Sequence, residues 1–168
     1  MQNLGLSIPD EFKISAGYTL TKQFNDLFTN AKIFLDSDIV QQGVDIDFEV
    51  KKMCIDIDKT PTSKIFSKKI SQNILKLVQS FETKQAELIL DLFENIEKLD
   101  LNVEIAEAQN IYFAKIIKHF DEIIEDINRN SKPSERNFVI AILEIGKKLN
   151  FNIEFYQNLF DRAILSDD

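Results

Sequence analysis

The chain has 168 residues, 44% hydrophobic and 29% charged, a balance that excludes a disordered chain and suits one compact domain burying roughly 70% of its unfolded surface. Its 28 acidic residues against 20 basic ones leave a net charge of -8, which repels a phosphate backbone and argues against nucleic acid as a partner. A single cysteine, Cys54, excludes an internal disulfide; with Val50, Met53 and Ile57 around it, it reads as a small core residue.

The 14 Phe, with three Tyr and no Trp, form an aromatic supply suited to filling a core. Residues 1–7 lack the basic and apolar regions of a signal peptide, and no apolar run approaches the roughly 18 residues of a membrane span. The expectation is a cytoplasmic protein with no membrane partner.

Pro9, Asp10 and Glu11 open a first helix, because proline suits a first turn and acids complement the positive end of the helix dipole. Phe12, Ala16, Leu20, Phe24, Leu27 and Phe28 then fall on one face to about Thr29, with Gly17 weakening the helix modestly. A shorter second helix is expected over 31–42, closed by a left-handed Gly43, with Asp36, Ser37 and Asp38 as an interruption. A third begins at Asp45 or Asp47 and carries Phe48, Met53, Cys54 and Ile57. Thr60 as cap and Pro61 start a fourth, whose stripe is Phe66, Ile70, Ile74, Leu77, Val78 and Phe81.

After a bend at 80–84, a fifth helix carries Leu88, Leu92, Phe93, Ile96 and Leu99. Ile105, Ala108, Tyr112, Ile116, Phe120, Ile123 and Ile127 define a long sixth, ending near Asn130. The polar cluster at 129–134 reads as a mobile loop. A seventh helix turns Phe138, Ile142, Ile145 and Leu149 inward, and an eighth carries Tyr156, Phe160 and Ile164 before a polar tail at 166–168. The fold class expected is all-α: one domain over 1–168, a bundle of about seven or eight helices built from antiparallel helical hairpins, with a short stack of hairpins as the alternative.

Three connections share one pattern of turn residue, apolar, Asx, apolar, acid, apolar: Gly43-Val44-Asp45-Ile46-Asp47-Phe48, Asp100-Leu101-Asn102-Val103-Glu104-Ile105 and Asn150-Phe151-Asn152-Ile153-Glu154-Phe155. The first residue tolerates a left-handed helix end, the Asx accepts hydrogen bonds from the next helix, and the acid favours its positive end. Either the joint is a repeated device, or helix junctions simply draw on few residue types.

Chemistry-bearing patterns are sparse. His119 is the sole histidine and reads as a surface residue; the acids Asp121, Glu122, Glu125 and Asp126 read as a solvated helix face. Asp56-Ile57-Asp58 lacks the glycine and glutamate of a calcium loop. No phosphate loop, nucleophile elbow or zinc cluster occurs in the sequence, so no catalytic residue, metal ligand or cofactor is assigned. Gln109 and Asn110, adjacent amides early in a helix, can brace the preceding joint or meet a ligand; with Tyr112 they are the candidate contacts to a partner or ligand.

The run Leu101-Asn102-Val103-Glu104-Ile105-Ala106-Glu107-Ala108-Gln109-Asn110-Ile111-Tyr112-Phe113 resembles a motif in the C-terminal helical region of bacterial proteins of the family 57 glycoside hydrolase-like group, relatives of alpha-amylases and alpha-mannosidases. Residues 4–9 and 43–47 fit that region in order, so the resemblance extends to about Phe120. Ala106 stands where the family motif carries tryptophan, which removes the broad ring face a sugar would stack on. The resemblance implies that catalytic carboxylates reside in a separate barrel domain. The expected function is therefore a non-catalytic helical accessory domain that packs against or shapes a polysaccharide-active catalytic domain, with carbohydrate contact left open. The alternative is a stand-alone helical module for protein-protein interaction or homo-oligomerisation.

Overall fold

The computed structural model describes residues 9–30, 36–130 and 133–165. They form eight α-helices: α1 (Asp10–Thr29), α2 (Ser37–Lys52), α3 (Thr60–Ser80), α4 (Thr83–Lys98), α5 (Ala106–Lys115), α6 (Phe120–Asn130), α7 (Pro133–Lys148) and α8 (Glu154–Leu165), with a 3-10 turn at Ile117–His119. No strand occurs among the described residues, so the all-α helical bundle expected from the periodicity is what forms. The expected entry segment at 4–8, the start of the second helix at 31–35, the loop residues 131–132, the side chains of Asp126, Ile127 and Ile164 and the tail at 166–168 lie outside the described residues. The chain forms two compact units, residues 1–65 with 95–102 and residues 66–94 with 103–168, and both α3 and α4 contribute to each. No helix among the described residues is long and apolar enough to cross a membrane.

In the first unit, the Pro9 carbonyl accepts from the backbone N–H groups of Phe12 and Lys13 and starts α1. Phe24 and Phe28 are fully inside, but Phe12, expected at the head of that stripe, is 68% exposed. The true inward line passes through Gly17, where an added Cβ would lie 3.2 Å from Ile55 Cγ2, so this glycine permits close approach by the chain at residue 55.

Gly43 does not end a helix. No described glycine has positive φ, and α2 runs through this position, merging the second and third helices of the sequence reading. A Cβ here would lie 2.8 Å from Leu99 Cδ2 and 2.9 Å from Phe28 Cζ, so the glycine is there to admit those side chains. Asp36, expected to interrupt a helix, starts this one, its carboxylate accepting from Asp38 N at 2.9 Å.

The left-handed end of α2 is Cys54, at φ 53° and exposed, rather than the core residue expected. Ile55 N donates to Val50 O and Cys54 N to Lys51 O, the paired bonds of a Schellman close. The same bonds recur at Asp100 (φ 52°), with Leu101 N to Ile96 O and Asp100 N to Glu97 O. What recurs is the left-handed close, first at Cys54 and not at 43–48; the capping expected of the Asx is not common to the joints, since Asp58 caps α3 and no side chain caps α5 (Ala106–Lys115). Asp58 also starts α3, since its carboxylate accepts from Thr60 N at 2.9 Å; hydrogen bonds from Thr60 hold its carboxyl below the ordinary range. Thr60, expected as the cap, is the first helical residue.

Two polar clusters tie this unit together. Buried Asn25 donates to the carbonyls of Thr21 and Asp58 and accepts from both the backbone N–H and the hydroxyl of Thr62, so it is fully satisfied. Asp47, 7% exposed, receives Lys59 Nζ at 2.5 Å and Lys51 Nζ at 2.8 Å. Lys59 Nζ also donates to the Leu99 carbonyl at 2.7 Å and lies over the Phe24 ring, while Lys51 reaches Asp100 at 3.1 Å. Burial pushes the Asp47 carboxyl up, but the hydrogen bonds and charges of Lys51 and Lys59 outweigh it and hold the group below its ordinary value.

In the second unit Phe66, Ile70, Ile74 and Leu77 of α3 have no exposure, as the stripe predicts. Phe81 (φ 52°) ends the helix in a left-handed turn, and its ring is 48% exposed and 5.9 Å from that of Phe138. In α4 the buried line is Ala86, Ile89, Leu92 and Phe93, whereas Leu88, expected inside, lies at the exposed edge. The single long sixth helix is broken at Ile116 (φ -105°, ψ -59°) into α5, the 3-10 turn and α6. The buried positions Ala108, Tyr112, Ile116, Ile117, Phe120 and Ile124 show why. In a straight helix the line Ala108, Tyr112, Ile116, Phe120, Ile124 drifts by about 40° at each step of four, too far for one face over the whole run, and the break at Ile116 interrupts that drift. The loop expected at 129–134 is also shorter, because Arg129 and Asn130 lie in α6 and Pro133 and Ser134 open α7.

Gly43→Ala should therefore cost about 1–3 kcal/mol through overpacking, while Cys54→Gly should stabilise by about 1 kcal/mol by relieving a left-handed side chain. Urea midpoints of the two variants check both signs. The lowered Asp47 value means that its contribution is complete above the unfolded carboxyl value near 3.8 and is lost as pH falls through the lower folded value. Wild-type stability should thus drop steeply below about pH 4, and Asp47→Asn should flatten that limb. Lys59→Met should cost about 1–3 kcal/mol at neutral pH, by leaving Asp47 with Lys51 alone and removing the donor to the Leu99 carbonyl.

Candidate functional site

The three residues singled out from the sequence lie on α5 in the second unit. Gln109 Nε2 donates to the Leu149 carbonyl at 2.8 Å, supplying a partner to one of the carbonyls left over where α7 ends. Tyr112 has no exposed surface, and its hydroxyl donates to the Ile142 carbonyl at 2.5 Å. Burial pushes its phenol well above the ordinary value, so it remains a neutral donor. Asn110 is exposed on the outer side of the helix.

These contacts fit into a groove that α7 opens by having glycine at 146. A Cβ on Gly146 would lie 2.9 Å from Ile153 Cγ2 and 3.1 Å from Tyr112 Oη, so the close approach of α5, α7 and the 150–153 joint depends on its absence. The third copy of the joint follows. Asn150 stands at φ 61°, with Phe151 N to Gly146 O at 3.0 Å and Asn150 N to Lys147 O at 2.9 Å. Asn152 Oδ1 then accepts from Glu154 N at 3.1 Å and starts α8.

A chain of rings extends from this packing to the surface. Phe151 lies 5.5 Å from Tyr112 and 6.3 Å from Phe113, the latter pair nearly parallel at 12°. Lys118 Nζ sits 5.5 Å from the Phe113 ring, which is 45% exposed. Phe155, 67% exposed, meets Tyr156 edge-on at 5.3 Å, and Tyr156 in turn meets buried Phe120. Between these rings lie two open grooves. One, of about 390 Å³, is lined by Lys147, Phe151, Gln157 and Asp161 among others; the other, of about 470 Å³, by Phe155 and Tyr156. Both share Asn152, Glu154 and Asn158.

His119 is half exposed, with Nδ1 3.2 Å from Glu122 Oε2, a local surface contact. Among the described residues, no group of three or more His, Cys, Asp or Glu side chains is placed to hold a metal ion.

No family model matches the chain, and no curated protein or solved structure is significantly similar to it.

Sequence reasoning picked out Gln109 and Tyr112 by type and missed what they meet. Gly146 reads as an ordinary helical glycine until Tyr112 is placed against it. The groove side chains Asn152, Phe155, Gln157 and Asn158 carry one visible signal, an aromatic and amide density in Asn150-Phe151-Asn152-Ile153-Glu154-Phe155-Tyr156-Gln157-Asn158. Tyr112→Phe should cost about 1–2 kcal/mol by removing a buried hydrogen bond, and Gly146→Ala should cost at least as much through the clash with Tyr112 and Ile153. Thermal melts followed by circular dichroism check the pair.

Proposed function

We propose that the chain is a non-catalytic helical accessory domain, acting in the cytoplasm, that packs against a polysaccharide-active catalytic domain of the family 57 glycoside hydrolase-like kind. The observation that carries this reading is the work done by the motif at 101–113. Its Gln109 and Tyr112 brace α7 and the 150–153 joint from inside, and its last residue, Phe113, stacks on Phe151 at the surface. The motif that resembles that family is thus an architectural element, as suits a domain that shapes a neighbour's site and leaves the chemistry to it.

Large apolar side chains left outside the core supply the means of packing. Ile14 and Tyr18 on α1 are 75% and 77% exposed and, by helical spacing, continue the inward line of Gly17, Thr21, Asn25 and Phe28. That same feature favours the second reading, a stand-alone module that pairs with another protein or with itself.

Mixing the chain with a separately produced barrel domain of that group, followed by size exclusion with light scattering, tests the choice. A one-to-one complex that Ile14→Ser with Tyr18→Ser abolishes is the expected result. Failure to associate, together with a concentration-dependent homodimer that the same double variant dissolves, would replace the first reading by the second.

A further inference from the structure

The outer surface of the 150–158 joint holds groups that the helix packing does not use. Gln157 and Asn158 make no side-chain hydrogen bond among the described residues, Asn152 uses only its oxygen, and the Glu154 and Asp161 carboxylates form no ion pair there. The spacing of 154, 157, 158 and 161 is that of one outer helix face, which by itself requires only water. Water does not account for Phe155, 67% exposed on the same joint, nor for the Phe113–Phe151 stack left 45% open at Phe113. The shared ridge of Asn152, Glu154 and Asn158 therefore has a ring on each side, Phe151 in one groove and Phe155 with Tyr156 in the other.

Each side-chain amide offers a donor and an acceptor together, the complement of a hydroxyl group. The ring faces offer apolar area to a ligand that is itself apolar on one side. Lys147, the only basic side chain among the described residues that line the two grooves, is already paired with Glu144, and two carboxylates line the groove, so a phosphate or sulfate group is not accommodated. The grooves are open and shallow, which disfavours a small apolar molecule that needs enclosure, and they lack the deep pocket that anchors a peptide side chain.

We infer that this surface binds a neutral oligosaccharide, with a pyranose ring against Phe155 and its hydroxyls hydrogen-bonded by Asn152, Gln157 and Asn158. The inference rests on the accessory-domain reading for the choice of polymer, an α-glucan, and extends it by giving the domain a direct hold on the substrate chain.

The test is a titration of the isotopically labelled full chain with maltohexaose, and with cellohexaose as comparator, followed by NMR. Saturable shifts centred on residues 151–158 and on the side-chain amides of Asn152 and Asn158 are expected. Phe155→Ala and Asn158→Ala should each weaken binding roughly fivefold or more with an unchanged thermal midpoint, since both side chains lie outside the core. No saturable shift with either sugar, shifts that map elsewhere, or equal affinity in both variants overturns the site. Saturable shifts with a lysine-rich peptide and none with sugar would do the same. Association with the barrel domain is measured separately: a chain that joins the barrel and ignores sugar loses this site alone, and one that binds sugar and ignores the barrel loses the accessory reading alone.

Discussion

A helix that stops leaves its last carbonyls without partners, and a chain that must turn at once into another helix has few ways to satisfy them. This protein uses one way repeatedly. At Cys54, Asp100 and Asn150 the backbone enters the left-handed region, two N–H groups fold back onto the preceding turn, and an extended apolar-polar alternation leads to the next helix. None of the three positions is glycine, so each bears the strain of a Cβ in that conformation, on the order of 1 kcal/mol. Such a residue persists where surrounding contacts over-determine it, and the surroundings do so here. Ile55 packs at Gly17, Lys59 reaches the Leu99 carbonyl beside Asp100, and Phe151 lies between Tyr112 and Phe113.

The close approaches that hold these joints depend on glycines in the middle of helices. Gly17, Gly43 and Gly146 all stand in helical segments, where glycine is disfavoured by up to about 1 kcal/mol relative to alanine. Each is offset by a neighbour that a methyl group would displace: Ile55, Leu99 with Phe28, and Tyr112 with Ile153. The glycines are sites of contact, and the turns are made by residues with side chains. This inversion of the usual roles explains why residue type alone points to Gly43 for the first joint, which Cys54 makes instead.

Polar side chains inside the protein follow the same logic. Asn25, Asp47 with Lys59, and Gln109 each join a helix to a joint, and Tyr112 joins α5 to the middle of α7. Interior polar chemistry is thereby committed to architecture. Outside, exposed rings and open amides gather around the last joint.

The sequence alone determined the fold class and most of the inner faces. Helical spacing of apolar residues is a local property, so Phe66 through Leu77 and Phe138 through Leu149 could be placed inward without any tertiary information. The 150–155 and 100–105 joints were legible for the same reason, since a helix end and the next helix start are written within six residues. The candidate residues Gln109 and Tyr112 were visible as types, while their partners, the Leu149 and Ile142 carbonyls, are about forty and thirty positions away. Only the tertiary structure could decide matters that depend on what arrives from elsewhere in the chain. Whether Gly43 ends a helix or admits Leu99, whether Cys54 is buried or turns the chain, and whether Ile117 breaks a helix to reach the core are settled by neighbours that local spacing does not contain. The opening stretch of the 101–113 motif is a joint by its own residues; its role as the brace of α7 is a consequence of packing.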